Sequence, residues 1–432
     1  MSEHTFETPD VTVVGGGLAG VAASLHLANA NLRVACIEPK TGAREPVGES
    51  LDWATPALLR ALGFSMEEMV GSQLATYKRG VTLKLNGGGD QKYAPSEWLA
   101  NPPFHIELRT MHVDRFRLDD ELMKQAVNRG VTVVRDKAVA IERSGRRITA
   151  VRTAGGARLA SRWFIDASGS ATSLFGREFQ LPQYSYGPKK VAMWSYFPSA
   201  RADEGTTIHV EDRKGSYLEW IWEIPINPTT LSVGYVTSGD TIRNKRHEGL
   251  TVEEIYAAQL ARFPHFERLL DRGPHKVPSV TAFRCRSYSG VAGPNWLIAG
   301  EAASLADPIT SNGVTAALRH ASEAAHLITK FRGRHSLPRG ARSAYSRRVL
   351  KMGRFFNSGI EGLVYDWPSR DRTGIMRAGR VYTAAAWSCN ALYSRLKPTG
   401  VVASFAFGAL LDALRASAWA YSKLWRRLPS VR

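Results

Sequence analysis

The chain has 432 residues, 44% of them hydrophobic, and a formal charge of +18. That length predicts two or three structural units with an ample core, and the hydrophobic content is ordinary for a soluble globular protein. Cys36, Cys285 and Cys389 stand far apart with no C-x-x-C, which excludes a disulfide framework and a cysteine zinc site and points to a reducing compartment. The charge is segregated. Residues 331–432 carry 19 Lys and Arg against 4 acids, so 19 − 4 = +15, whereas the first 330 residues carry 38 − 35 = +3. Such a block predicts something acidic bound to it: a protein, a nucleic acid or an anionic membrane surface. The polar start "MSEHTFETPD" reads as no secretory signal, so the cytoplasm is expected.

In chain order, Val11 to Val14 predict a buried strand. Gly15, Gly17 and Gly20 then fit G-x-G-x-x-G, and a helix runs to about Ala30. A second strand, "LRVACIE", ends in Glu38. The glycines let the backbone approach a pyrophosphate at the helix N-terminus, and Glu38 can accept hydrogen bonds from ribose hydroxyls. Strand, turn, helix, second strand and acid all stand at the spacing of a dinucleotide-binding unit. "RWFIDASGSAT" is a further apolar strand, running into Asp166. "KVAMWSYF", "YLEWIWEIP" and "TLSVGYVT" predict strands as well. In the second of these Trp220, Trp222 and Ile224 alternate onto one face, and Pro225 is expected to end the strand. "NWLIAGEAASLADPITSNGVTAALRHA" reads as a strand, then Gly300-Glu301, then Asp307-Pro308, then a helix opening at about Gly313. The late apolar stretch "GVVASFAFGALLDALRASAWAYS" is interrupted by Asp412 and Arg415, so no membrane span is expected.

Two of these segments, "RWFIDASGSAT" and the one around Asp307, resemble signatures of FAD-dependent monooxygenases and their relatives. In that superfamily the acid of the later segment approaches the flavin ribityl chain. The resemblance gives this role to Asp307, with Glu301 where the shorter G-D form has its Asp. A helix opening at Gly313 would aim its positive end at the flavin ring. "MHVDRFRLDDELMKQAVNRGVTVV" resembles the stretch whose arginine, here Arg115, contacts the cofactor. W-x-W-x-I-P, here "WIWEIP", is the fingerprint of the flavin-dependent halogenases, which marks Trp220 and Trp222. "VGESLDWATPALLRALGF" resembles their G-E-S segment beside the flavin, which brings in Ser50. "ATYKRGV" resembles the segment of their catalytic lysine, which places that role on Lys78. The resemblance runs from residue 11 to about residue 330.

It implies FAD as cofactor, O₂ as co-substrate, and reduced nicotinamide or a flavin reductase as electron source. In halogenases the oxidised halide travels to the lysine. This sequence departs from that pattern at Thr310, where the enzymes acting on free tryptophan carry a glutamate. Ile309, Thr310 and Asn312 also fit the phenol- and pyrrole-type segment only partly. The departures and the +15 block turn the first expectation to a related group, the flavoprotein monooxygenases that mature tryptophylquinone. That expectation is hydroxylation, via a flavin C4a-hydroperoxide, of a tryptophan in an acidic peptide or small protein subunit. The substrate would dock on the basic C-terminal region, at arginines such as Arg347, Arg348, Arg426 and Arg427. Lys78 would donate a hydrogen bond to the departing oxygen, and Trp220 and Trp222 would wall the flavin from the substrate. Halogenation of an aromatic small molecule is the alternative. A flavin-fold binding module for nucleic acid or membrane ranks last, since no nucleic-acid signature accompanies the charge. No metal ligand set is expected.

The fold class expected is α/β: an FAD-binding Rossmann-type fold with a mixed-sheet substrate domain and a helical C-terminal region. The FAD-binding domain would comprise about 1–75, 105–180 and 285–335. The substrate domain would comprise 76–104 and 181–284, and the basic helical region 336–432.

Overall fold

The computed structural model describes residues 8–39, 47–85, 90–94, 97, 100–102, 105, 107–169, 173–198, 205–211, 217–365 and 401–427. The chain opens with β1 (Val11–Val14), α1 (Leu18–Asn29) and β2 (Val34–Ile37). Then come α2 (Thr55–Arg60), α3 (Met66–Gly71), β3 (Ala75–Lys78), β4 (Gly80–Leu85) and β5 (Gln91–Tyr93). β6 (Thr110–Val113) leads into α4 (Arg115–Asn128), followed by β7 (Thr132–Val134), β8 (Ala138–Ser144), β9 (Arg147–Thr153), β10 (Arg158–Ala160), β11 (Trp163–Asp166) and α5 (Leu174–Glu178). The long strands β12 (Gln183–Pro198), β13 (Gly205–Val210), β14 (Trp220–Asn227) and β15 (Thr230–Ser238) follow. After α6 (Gly239–His247), α7 (Val252–Leu260) and α8 (Glu267–Arg272) come β16 (Ser279–Tyr288), β17 (Trp296–Ile298) and β18 (Ser304–Leu305). The chain closes with α9 (Gly313–Lys330), α10 (Arg339–Ile360) and α11 (Val401–Arg427).

β1, β2, β11 and β17 are short, wholly buried apolar strands, the pattern of a parallel sheet covered on both faces. They pair in parallel in the order β17-β11-β1-β2-β7. α1 packs between this sheet and α9. There are also a small antiparallel sheet, β10-β9-β8, and the antiparallel pair β3-β6, which contacts β14. The second large sheet has eight strands in the order β18-β16-β12-β15-β14-β13-β4-β5, antiparallel except where β13 pairs with β4. Its two faces carry separate cores. Trp194, Trp220, Trp222 and Ile224 belong to one, and Ile221, Val233, Phe263 and Phe266 to the other.

The alternation expected of "WIWEIP" is present, but Pro225 does not end the strand. β14 continues to Asn227 with a register shift after Pro225. The reason is local: β13 pairs only with Trp220 to Glu223, so at Pro225 no ladder bond needs the missing N–H. The Pro225 carbonyl still accepts a hydrogen bond from Thr76 Oγ1 at 2.5 Å.

In the C-terminal region α11 packs on α10 through Phe407 and Leu411, while Val402, Phe405, Leu410 and Trp419 are exposed. Residues 366–400 of the basic block, with Cys389, lie outside the described residues. Arg348, expected on a docking surface, is buried. Its Nε pairs with Glu323 at 2.8 Å and its Nη1 donates to Ser404 at 2.7 Å, clamping α10 to α9 and α11. Arg347 lies over the Phe405 ring. No helix among the described residues is long and apolar enough to cross a membrane.

A buried polar network ties the C-terminal region to the large sheet. Lys190 on β12 is 1% exposed and reaches Asp307 at 2.8 Å and Glu361 at 2.9 Å. Glu361 opens the π-helical turn Glu361–Tyr365 that ends α10. Tyr365 Oη donates to Asp307 at 3.1 Å and receives the indole N–H of Trp220 at 2.9 Å. Burial works against the Lys190 charge, but Asp307, Cys285 and Glu361 outweigh it and hold the ammonium well above its ordinary range. Lys190→Met is expected to lower the unfolding free energy by about 3–5 kcal/mol, because two carboxylates lose their shared cation. Urea denaturation checks this, and a midpoint equal to that of the parent would refute it.

Candidate active site

A cavity of about 540 Å³ lies between the parallel sheet and the Trp220 face of the eight-stranded sheet. Gly16, Gly17, Leu18 and Ala19 at the start of α1 line one end, with Glu38, Arg135 and Ser168. Glu49, Ser50, Arg115, Glu301, Ser311, Gly313 and Val314 line the middle. Trp194, Thr206, Ile208, Trp220, Trp222, Ile224 and Phe283 line the far end.

The three motif glycines divide by role. Gly15 has φ +96°, and a Cβ there would stand 2.4 Å from the Ala167 carbonyl oxygen. A Cβ on Gly20 would stand 1.7 Å from the Gly15 carbonyl oxygen, so Gly20 lets α1 lie against β1. Gly17 differs: its φ of −68° suits any residue, and a Cβ would meet nothing within 4 Å. It faces open cavity, at the N-cap of α1, where no side chain caps the helix. The N-terminus of α9 is likewise without a side-chain cap, and Gly313 there also faces open space. Two helix N-termini therefore present N–H groups and positive dipole ends to one cavity. Glu38 accepts the Gly16 N–H at 2.7 Å and lines the cavity beyond it. These donors, this acid and the open space beside Gly17 fit the pyrophosphate, ribose and flavin of FAD.

Arg115 is buried. Its Nε and Nη2 form a bidentate pair with Asp119 at 3.0 and 3.1 Å, and its Nη1 reaches the Val47 and Gly48 carbonyls at 3.3 Å. It thus holds the loop before Ser50 against α4. Asp307 is placed differently from its expected role. Its carboxylate is turned into the Lys190 network and does not line the cavity, whereas Glu301 of the same segment does. Thr310 also stays out of the cavity, its hydroxyl donating to the Asp307 carbonyl at 2.9 Å.

Trp220 and Trp222 form the wall with ring centroids 5.8 Å apart. Each indole is pinned, Trp220 by Tyr365 and Trp222 by Ser232 at 3.1 Å. Lys78, at the end of β3, is 3% exposed and lies outside the cavity lining. Its Nζ donates to the Leu51 carbonyl at 2.8 Å and sits 4.7 Å from the centroid of Trp53, which packs in the same aromatic cluster as Trp220 and Trp222. Burial pulls its pKa down to about 7, against the attraction of Asp52.

Sequence reasoning passed over Glu49, Asp119 and Thr206. Burial pushes the Glu49 carboxyl up to about 7, against hydrogen bonds with Ser232 and Tyr196. A chain of hydroxyls runs from Ser311 to Ser50 at 3.2 Å, from Ser50 to Thr206 at 2.7 Å, and on to His112 Nε2 at 3.0 Å. Glu49 stood inside the G-E-S segment already singled out; Thr206 had no motif around it.

Fold and cavity together define an FAD-binding protein of the α/β class. Residues 104–356 match the tryptophan halogenase family model, and residues 10–63 match an FAD binding domain model. The chain belongs to the tryptophan halogenase family. It is 28% identical to flavin-dependent halogenase armH5 of Armillaria mellea, over 76% of this chain and 65% of that protein. It is 29% identical to tryptophan 2-halogenase of Chondromyces crocatus, over 74% of this chain and 60% of that protein. The chain thus spans less than two thirds of the length of either relative. Menaquinone reductase of Mycobacterium tuberculosis is 29% identical over 74% of this chain and 77% of its own length. The fold matches the flavin-dependent brominase Bmp2 with a TM-score of 0.73 at 19% identity, covering 96% of this chain and 99% of that one.

Two substitutions separate cofactor binding from folding. Gly17→Val is expected to leave the melting temperature of the FAD-free protein unchanged and to weaken FAD binding by at least about a hundredfold, since the side chain takes the space beside the helix N-terminus. Gly20→Ala should lower stability by about 1–3 kcal/mol through overpacking. Fluorescence titration with FAD and thermal denaturation read the two effects; unaltered FAD affinity in Gly17→Val would overturn the assignment.

Proposed function

We propose that this chain uses FAD and O₂ to halogenate an electron-rich aromatic small molecule other than free tryptophan, with Lys78 as the group that steers and protonates the oxidant. One observation carries the reading: the buried Lys78 amine, its pKa pulled down by burial to about 7, lies against Trp53 in the aromatic cluster that walls the flavin cavity. The named relatives support halogenation over the hydroxylation of a peptidyl tryptophan, which was the first expectation from sequence. Thr310 argues against free tryptophan as substrate, because its hydroxyl is spent on Asp307 and no carboxylate replaces it there.

FAD, when bound and reduced, supplies an electrophilic oxidant from O₂. Gly17, Glu38 and the α1 N-terminus would bind its dinucleotide half. Arg115 would fix the Gly48–Ser50 loop beside the ring, with Gly313 and the α9 N-terminus stabilising negative charge. Trp220, Trp222 and Ile224 would exclude water from the oxidant's path. Lys78 Nζ offers N–H donors, and a pKa near working pH lets it give up a proton and regain it. The flavin-bearing part would draw on 1–75, 105–180 and 285–335, and the substrate would rest on the eight-stranded sheet.

A second reading, oxygen insertion into a tryptophan of an acidic peptide, is favoured by the charge of +15 in residues 331–432. The substrate would then be held partly by charge, with electrons from reduced nicotinamide or a flavin reductase as in the first reading.

Product analysis decides. Turnover with an aromatic panel, NADH, a flavin reductase and bromide should give brominated product. Oxygen from ¹⁸O₂ in a peptidyl tryptophan, at a rate indifferent to halide, would replace the main reading by the second. Lys78→Ala should keep FAD binding and flavin reduction but lose about a hundredfold or more in product. With the ammonium as the active form, product formation should fall by about tenfold per pH unit above about 7. The residual rate of Lys78→Arg should be flat over that limb, because arginine keeps its charge.

A further inference from the structure

Behind the cavity wall, on the opposite face of the same sheet, two histidines and a glutamate converge. β13 and β14 pair with His209 opposite Ile221 and Thr207 opposite Glu223. His209 and Glu223 are therefore diagonal neighbours on the face turned away from Trp220 and Trp222. His265 comes from a 3-10 turn, Pro264–Phe266, that leads into α8. His209 Nε2 lies 2.9 Å and His265 Nε2 3.1 Å from the same oxygen, Glu223 Oε2. One donor atom from each residue lies within 4.8 Å of the others.

We propose that His209, Glu223 and His265 form a binding site for a divalent cation of the zinc class. Two imidazoles and a carboxylate are the donor set that borderline cations select, and zinc sites of this composition keep a fourth position for water. The geometry is close to what such an ion needs. Metal–ligand distances near 2.0–2.2 Å in a tetrahedron put donor atoms roughly 3.3 Å apart, and two of the three separations here are already 2.9 and 3.1 Å. The two deep ligands are 3% exposed, and the His265 side chain is 44% exposed. That gives a fixed base, a route in from solvent and a side on which water completes the shell. On binding, each ring would turn its Nε2 lone pair to the ion and carry its proton on Nδ1. Phe266 packs on the His209 ring at 4.7 Å and meets the His265 ring edge-on at 5.0 Å, so both rings have an aromatic neighbour without the ion. Occupancy would pin the turn before α8 to the strand that carries Trp222.

The test uses the full chain, stripped with a chelator and titrated with Zn²⁺ alone in competition with a fluorescent zinc indicator. One ion per chain with a rise in melting temperature is expected. Co²⁺ should add the visible absorption bands of a four-coordinate site. His265→Ala, a change at the exposed ligand that leaves the core intact, should weaken zinc binding about a hundredfold and abolish the cobalt bands. Glu223→Gln keeps a hydrogen-bonding side chain and should do the same, while His335→Ala, at an exposed histidine elsewhere, should change neither. Equal zinc affinity in His265→Ala and the parent chain would overturn the proposal. So would a parent chain that binds no stoichiometric zinc, leaving the cluster a hydrogen-bonded His–Glu–His contact only.

Discussion

The contact on which the site depends most is the buried ion pair between Lys190 and Asp307. A bare carboxylate at that depth would be untenable, so its partner must be supplied and held. β12 supplies it from the eight-stranded sheet, and the turn after α10 adds Glu361 and Tyr365. Asp307 in turn accepts from the Ile309 N–H at 3.1 Å and fixes the chain just before α9. Tyr365 passes the constraint on to the Trp220 indole. One charge pair thereby orients a helix N-terminus and an aromatic wall on two sides of the cavity. The backbone makes room for it: Gly187 has φ +66°, and a Cβ there would lie 2.1 Å from the Glu361 carboxyl carbon.

Much of the fold was legible because local pattern and tertiary demand agree. β1, the three glycines, α1, β2 and Glu38 form one contiguous unit in which every choice serves the same turn. The period-2 run at Trp220, Trp222 and Ile224 declared its face for the same reason. What escaped depends on residues brought together from distant elements. Motif spacing cannot register the Lys190 partner of Asp307, which lies 117 residues away. A proline at 225 points to a strand end, because the sequence does not disclose that β13 stops pairing before it. Arg348 looked like surface charge, yet its partners come from α9 and α11. His209, Glu223 and His265 have no recognisable spacing, since a hairpin register and a separate turn create their proximity.

Electrostatically the cavity has a gradient. Its dinucleotide end offers open N–H groups at Gly17, and its far end offers indole faces and Ile224. Lys78 stands behind that aromatic end, capped by the Leu51 carbonyl and Trp53. Depth lowers its affinity for a proton, and the Trp53 face still favours the cation when it forms. The amine is therefore positioned by the Leu51 carbonyl and Trp53, while burial and Asp52 act in opposite directions on its charge.

β14 has a consequence for how this protein can vary. Its even-numbered positions, 220, 222 and 224, face the cavity, while Ile221 belongs to the opposite core and Glu223 to the histidine cluster. Parity of position therefore separates two kinds of selection along eight residues. Drift at even sites alters what the chamber admits, and drift at odd sites alters how firmly the strand is held from behind. A shift of register by one residue would exchange the two sets at once. Insertions or deletions within the strand are accordingly closed to it as a path of change, and diversity in the chamber must come from substitution.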